Sequence, residues 1–533
     1  MVIPDLNIAP DSSAHRSRAT IGSDLGIAGN SIAEAAYLAL ARAPGTKFIH
    51  SASTGWVNRG EFLEMATGVA ASLVKHGLVG GDRVVLNCAG SVELAATYLG
   101  VLLARAVAVP ANPAYSDREL AHVISDARPA FVVTGDESAK RIGQLAVASQ
   151  SRAAIEGPGS ELPIPAGDIQ CLGIGALVRE SNGAGHRFEG RGFAPEMAAL
   201  VAYTSGTTGV PKGALLSHSN LLASTKAVVE AWRWTESDRL LLALPLFHVH
   251  GLVVGLTASM CVGSSVLLFE SFDPVSLINS VGGAEAPTMY FGVPATYARL
   301  VKSEGFSNFS KLRLLVSGSA PLPPDLFDRV ALVAGQSPVE RYGMSETLMN
   351  VSNPYDGPRK SGSVGLALPG VKVALDGKGE ILVAGPNVFR GYLGNPEATS
   401  RTFTGSWMRT GDVGTFDEDG YLRIESRLGD MVISGGFNVY PREVEDQVRS
   451  FGGVRDAAVV GRQSELWGEE VVAFVVASDP MAELDIEALI EHLRVRLVNY
   501  KIPKAFLVVD ELPRNAMGKV LTAKLREIAR NRN

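Results

Sequence analysis

Apolar positions along the chain fall into two recurring patterns. Short unbroken apolar runs at 84–86, 131–133, 199–203, 240–244, 288–291 and 312–316 read as buried strands. Longer stretches at 62–76, 219–232, 323–333 and 485–498 carry apolar residues at helical spacing and read as helices. Such alternation predicts an α/β architecture. The most apolar stretch, 241–268, is interrupted by Pro245, His248, His250 and Gly251, so a buried core segment is expected there and not a membrane span. Residues 150–195 are rich in Gly, Pro and Ser and predict a surface excursion.

The texture changes near residue 428. Beyond it come strand-like runs at 457–460, 470–476 and 505–509 with helical segments, the pattern of a small α+β lobe. Three parts are therefore expected: a loose, polar N-terminal extension at 1–31, a large α/β domain at 32–428, and a small mobile α+β domain at 429–533. The Gly-containing joint Arg427-Leu-Gly-Asp430 lies between the last two. No repeat at a solenoid period is visible.

Composition narrows the function classes. In 533 residues, 46% apolar content suffices for a large core, and a net charge of -6 gives no footprint for nucleic acid. It also gives little attraction to an anionic membrane surface, so an anionic substrate would need locally placed cations. Cys88, Cys171 and Cys261 are far apart, without the spacing of a zinc site or a disulfide framework. The start lacks a signal-peptide pattern, the end carries no peroxisomal address, and a cytoplasmic location is expected.

The segment that changes this picture is Tyr203-Thr-Ser-Gly-Thr-Thr-Gly-Val-Pro-Lys-Gly213. A buried strand runs into a loop in which Gly206 and Gly209 let backbone N–H groups approach phosphate oxygens. Thr204, Ser205, Thr207 and Thr208 supply hydroxyls, and Lys212 supplies charge. The order does not fit a Walker A loop, because Gly213 follows the lysine.

This loop resembles the signature of the adenylate-forming superfamily: acyl-CoA synthetases, adenylation domains of peptide synthetases, and firefly luciferase. The similarity extends over about residues 45–525 and rests on several motifs in order. By that resemblance, Arg341-Tyr-Gly-Met-Ser-Glu346 contributes Arg341 and Gly343 to the ATP site, stacks Tyr342 on adenine, places Ser345 at the phosphate, and gives Glu346 to Mg²⁺, with Thr208 as a second metal ligand. Ser317-Gly-Ser-Ala-Pro321 implies Ser319 and Ala320 near adenine and Ser317 near the acyl pocket. Asp412 and Arg427 imply a ribose clamp. Gly435, Gly436 and Phe437 imply passage of the CoA arm, and Lys519 implies the catalytic lysine of adenylation, acting with Lys212 and Glu346.

The implied reaction is carboxylate attack on the α-phosphate of ATP, then transfer of the acyl group to coenzyme A. The small lobe rotates between the two steps, with Gly429 as a permissive hinge. ATP, Mg²⁺, a carboxylic acid and CoA are the expected partners, with a second copy of the chain in a homodimer as a further expectation. CoA is the expected acceptor because no carrier module follows Lys519. The segments 245–251, 291–299 and 340–350 resemble those of malonyl-CoA synthetases, which implies a small dicarboxylate such as malonate or methylmalonate. Arg299 is implied at its distal carboxylate and His248 in the acyl pocket, while His250 reads as structural. Medium-chain or aromatic acids, an amide-forming ligase, a luciferase-like oxidoreductase and a decayed binding protein stay open as alternatives.

Overall fold

The computed structural model describes residues 6–9, 26–153, 168–181, 192–204, 211–283, 285–434, 437–464, 468–479, 481, 484–515 and 518–532. It is a mixed α/β protein with a large N-terminal domain and a smaller C-terminal one. The apolar runs form the strands of two sheets. In the nine-stranded sheet, Leu314–Ser317, Met289–Gly292, Arg239–Leu242 and Ser265–Leu268 lie side by side and parallel. In the seven-stranded sheet, Val107–Pro110, Arg83–Asn87 and Phe131–Thr134 do the same. Strands buried on both faces read as continuous apolar segments, which is why the sequence pattern finds them.

Helices pack on these sheets by their apolar faces. Arg59–Lys75 begins at a reciprocal pair in which Asn58 and Glu61 each accept from the other's backbone N–H, and it buries Phe62, Leu63, Ala66 and Leu73. His218–Ala231 begins at a similar pair, Ser217 and Asn220. Asn220 Nδ2 also donates to Pro386 O at 2.8 Å and Val388 O at 2.9 Å, which ties the helix to the segment leaving a third, antiparallel sheet. That sheet contains Lys372–Leu375, Glu380–Ala384, Trp407–Phe416 and Leu422–Arg427. The five-stranded sheet of the smaller domain pairs Val454–Ser464 with Gly468–Ala477, and Ala505–Val508 runs parallel beside the latter.

Two stretches differ from their sequence reading. Asn7–Ile8 pairs antiparallel with Lys372–Leu375, so part of the extension expected to be loose is a strand of the antiparallel sheet. Gln170–Gly173 joins the seven-stranded sheet beside Phe131–Thr134, and the helix Ile174–Ser181 buries Leu177 and Val178. The apolar residues of 169–178 build this edge, although the Gly, Pro and Ser around them dominate the composition. No helix among the described residues is long and apolar enough to cross a membrane, and 250–257 is a buried π-helix.

Candidate functional site

Parallel strands deliver the loops that follow them to one edge of the sheet, where ligands of open α/β sheets sit. The loop after Arg239–Leu242 carries His248 and His250, the loop after Leu314–Ser317 carries Ser319, and Val339–Met344 leads into Ser345 and Glu346. These groups line a cavity of about 460 Å³, which Lys212, Tyr392, Thr410 and Arg427 complete from the neighbouring sheets. The smaller domain closes it with Asn515 and Lys519.

The acid loop depends on a bulge. Register shifts between Tyr342 and Gly343, and a Cβ at Gly343 would sit 1.8 Å from Leu348 O. Only glycine allows the chain to turn there. The Phe389 N–H donates to Glu346 O at 2.7 Å, and the Tyr392 hydroxyl donates to Glu346 Oε1 at 2.9 Å. Burial raises the Glu346 pKa, against the pull of the Tyr392 hydroxyl. Nearby, Asp412 accepts from the Tyr342 hydroxyl at 2.6 Å and from Arg427 Nε at 2.8 Å. Burial alone would lower the Arg427 pKa, but the Asp412 charge overrides it and the pKa is raised.

A different arrangement surrounds Arg341. Its residue is 6% exposed, and Nη2 donates to Ser319 Oγ at 3.3 Å. Its Nε has no partner, and no carboxylate pairs with it among the described residues. Burial pulls its pKa down to about 9. A Cβ at Gly318 would lie 2.3 Å from Arg341 Nε, so the guanidinium packs directly against bare backbone. Ser319 adopts a positive φ of 70° and also meets His250 Nδ1 at 3.3 Å. A guanidinium only donates, so Ser319 Oγ accepts from Arg341, and its remaining lone pair and hydrogen face His250 Nδ1. Burial, then Arg341 and His248, hold the His250 pKa well below the usual imidazole value. The ring is therefore neutral, and its buried Nε2 has no hydrogen-bond partner among the described residues.

Lys519 is held by a tight turn. Gly518 N–H donates to Asn515 O at 2.8 Å, Lys519 N–H to Asn515 Oδ1 at 2.9 Å, and Asn515 N–H to Lys519 O at 2.9 Å. Gly518 takes the positive φ of 76° that this turn requires. The Lys519 residue keeps solvent access, yet burial of its ammonium lowers the pKa, and Arg427 lowers it further.

Ten of the residues singled out from the sequence line the one cavity: Thr204, Lys212, His248, Ser319, Arg341, Gly343, Ser345, Glu346, Arg427 and Lys519. Tyr342 and Asp412 are buried beside it through their mutual bond. Ser317 ends the strand Leu314–Ser317 and Ala320 follows Ser319 on the loop, and neither lines the cavity. Phe437 is 55% exposed on the smaller domain, stacked on Tyr500 at 4.5 Å. Ser205, Gly206, Thr207, Thr208, Gly209, Gly435 and Gly436 lie outside the described residues.

Arg299 does not reach the cavity. In the helix Pro294–Leu300, Tyr297 and Leu300 face the core, which turns Arg299 to the surface over the Phe272 ring at 4.8 Å. His250, read as structural, does line the cavity, because the π-helix it opens brings it against Ser319. Tyr392, Thr410 and Asn515 also line it. Only position in the fold reveals Tyr392, since its strand lies far along the chain from Lys212 and Glu346.

The sequence model of the AMP-binding enzyme matches residues 38–393, and that of the AMP-binding enzyme C-terminal domain matches 443–519. The chain belongs to the AMP-binding enzyme family. Among curated relatives of this AMP-binding enzyme, the long-chain-fatty-acid–CoA ligase of Bacillus subtilis (strain 168) is 32% identical, with 88% of this chain and 89% of that protein covered. The malonate–CoA ligase of Arabidopsis thaliana is 31% identical, with 85% and 79% covered. The crystal structure of ATP-bound MatB from Rhodopseudomonas palustris superposes with a TM-score of 0.86 at 36% identity, covering 94% of this chain and 99% of that one.

Proposed function

We propose that this AMP-forming acid–thiol ligase activates a small dicarboxylic acid, malonate or methylmalonate in the first instance, and passes it to CoA. The observation that carries the reading is Arg341, a buried guanidinium in the cavity wall with one hydroxyl partner and no acid of its own. An unpaired buried charge is costly, and a substrate carboxylate removes the cost by accepting from its planar fork. The neutral His250 adds a buried, unpartnered Nε2 beside it. A long alkyl chain would leave both polar groups without a partner. Arg341 thus takes the role expected for Arg299, and His248 borders the same pocket.

The reacting carboxylate lies between this group and the phosphate side, where Lys212 and Lys519 approach from the two domains. Their ammonium charges stabilise the negative charge that moves toward pyrophosphate as the adenylate forms. Thr204, Ser345 and the 205–209 loop hold the phosphates, and Asp412 with Arg427 receives the ribose hydroxyls. Tyr342 packs at adenine with its hydroxyl anchored on Asp412. Mg²⁺ suits the donor set, because Glu346 offers one buried carboxylate, Thr208 a hydroxyl, and the phosphates and water complete such a shell. When bound, the ion neutralises phosphate charge. For thioester formation the smaller domain must turn to remove Lys519. Gly429 has no neighbour within 4 Å of its missing Cβ, so no side-chain crowding opposes a turn at this joint. Phe437 then faces the CoA arm.

The test is pyrophosphate release from Mg-ATP over matched acids, with and without CoA. Malonate or methylmalonate is expected to be used far better than butyrate, and Arg341→Leu is expected to invert that order. Equal use of malonate and butyrate by the unaltered enzyme rejects the dicarboxylate assignment.

A further inference from the structure

Tyr392 is a polar wall residue that the sequence motifs leave without a role. It ends the short strand Gly391–Tyr392, opposite Ala214 on the strand that Lys212 begins. Its N–H donates to Thr399 Oγ1 at 2.9 Å, and Phe389 packs edge-on against its ring at 5.0 Å. From this fixed base the side chain touches two charged residues at once. Its hydroxyl donates to Glu346 Oε1 at 2.9 Å, and the Lys212 ammonium stands 5.4 Å from its ring centre.

We propose that Tyr392 is a positioning residue with two separable jobs. The hydroxyl fixes the Glu346 carboxylate so that its other oxygen stays available to the cation accompanying ATP. The ring face holds Lys212 at the phosphate side without neutralising it. The proposal rests on the ATP-site roles given above to Glu346 and Lys212.

A carboxylate tied at one oxygen has one orientation to offer, and outer partners of this kind typically change metal affinity by about 10–100-fold. No carboxylate pairs with Lys212 among the described residues. An acid there would orient the ammonium but cancel its charge. A ring attracts it electrostatically while leaving its three N–H donors for phosphate.

The experiment measures ATP binding by calorimetry, with and without Mg²⁺, together with the Mg²⁺ dependence of pyrophosphate release. Tyr392→Phe keeps the ring and loses only the hydroxyl. Metal-free ATP binding is expected to stay unchanged, while the enhancement by Mg²⁺ falls about tenfold and saturating Mg²⁺ restores kcat. Tyr392→Leu, checked for an intact melting transition, is expected to weaken metal-free ATP binding as well, with no rescue by Mg²⁺. Equal weakening with and without Mg²⁺ in Tyr392→Phe, or no change at all, overturns the proposal. Glu346→Gln separates the two readings. If it abolishes the enhancement while Tyr392→Phe keeps it, Tyr392 alone loses its role. If Glu346→Gln keeps the full enhancement, the metal role of Glu346 falls and the hydroxyl's role with it.

Discussion

Arg341 and Arg427 line the same cavity and stand in opposite electrostatic states. Arg427 gives its Nε–H to Asp412, and its pKa is raised; Arg341 meets one serine hydroxyl, and its pKa falls to about 9. A paired arginine presents a satisfied, oriented surface, and neutral hydroxyls can share it at little cost. An unpaired one stores a desolvation penalty that only an incoming anion relieves. Under the proposed function, the contrast separates the two ends of the site: a held clamp for the nucleotide and an open charge for the acid.

The largest effect should come from erasing the open charge. Arg341→Leu removes the desolvation penalty and the acid-free buried guanidinium proposed to meet a second carboxylate. A loss of about 3 kcal/mol of transition-state binding, roughly a hundredfold in kcat/KM for malonate, is expected. Butyrate should be used better than before, because the pocket has become apolar. Steady-state kinetics on both acids checks this, and parallel losses on the two would end the distinction between the arginines.

The held clamp should respond more weakly and on a different substrate. Asp412→Asn keeps the shape but sets an amide N–H₂ against donors, either Arg427 Nε–H or the Tyr342 hydroxyl. A charge-assisted hydrogen bond contributes about 2 kcal/mol, so ATP affinity should fall roughly thirtyfold. The KM for the acid should hardly move. Calorimetric titration with ATP decides it, and a variant whose defect lies mainly with malonate would merge the two ends of the site.

Arg341 also invites the question why it does not pair with Glu340 beside it. Side chains alternate along a strand, so the two point to opposite faces. Glu340 Oε1 accepts from Leu322 N–H at 2.9 Å, Oε2 is unpartnered, and burial raises its pKa to about 7 against the pull of Arg442. The folded state therefore holds a proton that the unfolded chain has lost above its ordinary carboxylate range. Stability should fall as pH rises from about 4.5 to about 7, and then level off. Glu340→Gln should flatten this slope and stabilise the enzyme at pH 8, by no more than about 3 kcal/mol. Denaturant melts at several pH values measure it, and an unchanged slope would mean that Glu340 is ionised in the fold.

Much of this was legible in the sequence, for identifiable reasons. Doubly covered strands such as Arg83–Asn87 and Phe131–Thr134 declare themselves as apolar runs, and phosphate chemistry concentrates Gly, Thr and Lys in one loop. Lys212, Glu346, Arg427 and Lys519, each singled out by a motif, line one cavity. The antiparallel sheet is less visible, because two-residue strands such as Asn7–Ile8 and Gly391–Tyr392 leave no periodicity. Where Arg299 and Arg341 point was hidden for another reason. Which way an arginine points depends on helix phase in one case and on strand alternation ahead of the Tyr342–Gly343 bulge in the other.

The placement of Arg299 gives the smallest and sharpest prediction. Arg299 lies over Phe272, near Asp273, on the outside of its helix. Arg299→Ala should lose an exposed cation–π contact, about 0.5–1 kcal/mol of stability, and nothing else. Its KM for malonate should match that of the unaltered enzyme within twofold or so, where Arg341→Leu changes it strongly. Two arginines presented by similar-looking motifs would then differ only in which face of their element the fold turns to the cavity. A malonate KM that rises in Arg299→Ala while butyrate is unaffected would place the second carboxylate at the surface helix, and Arg341 would need another anion to justify its burial.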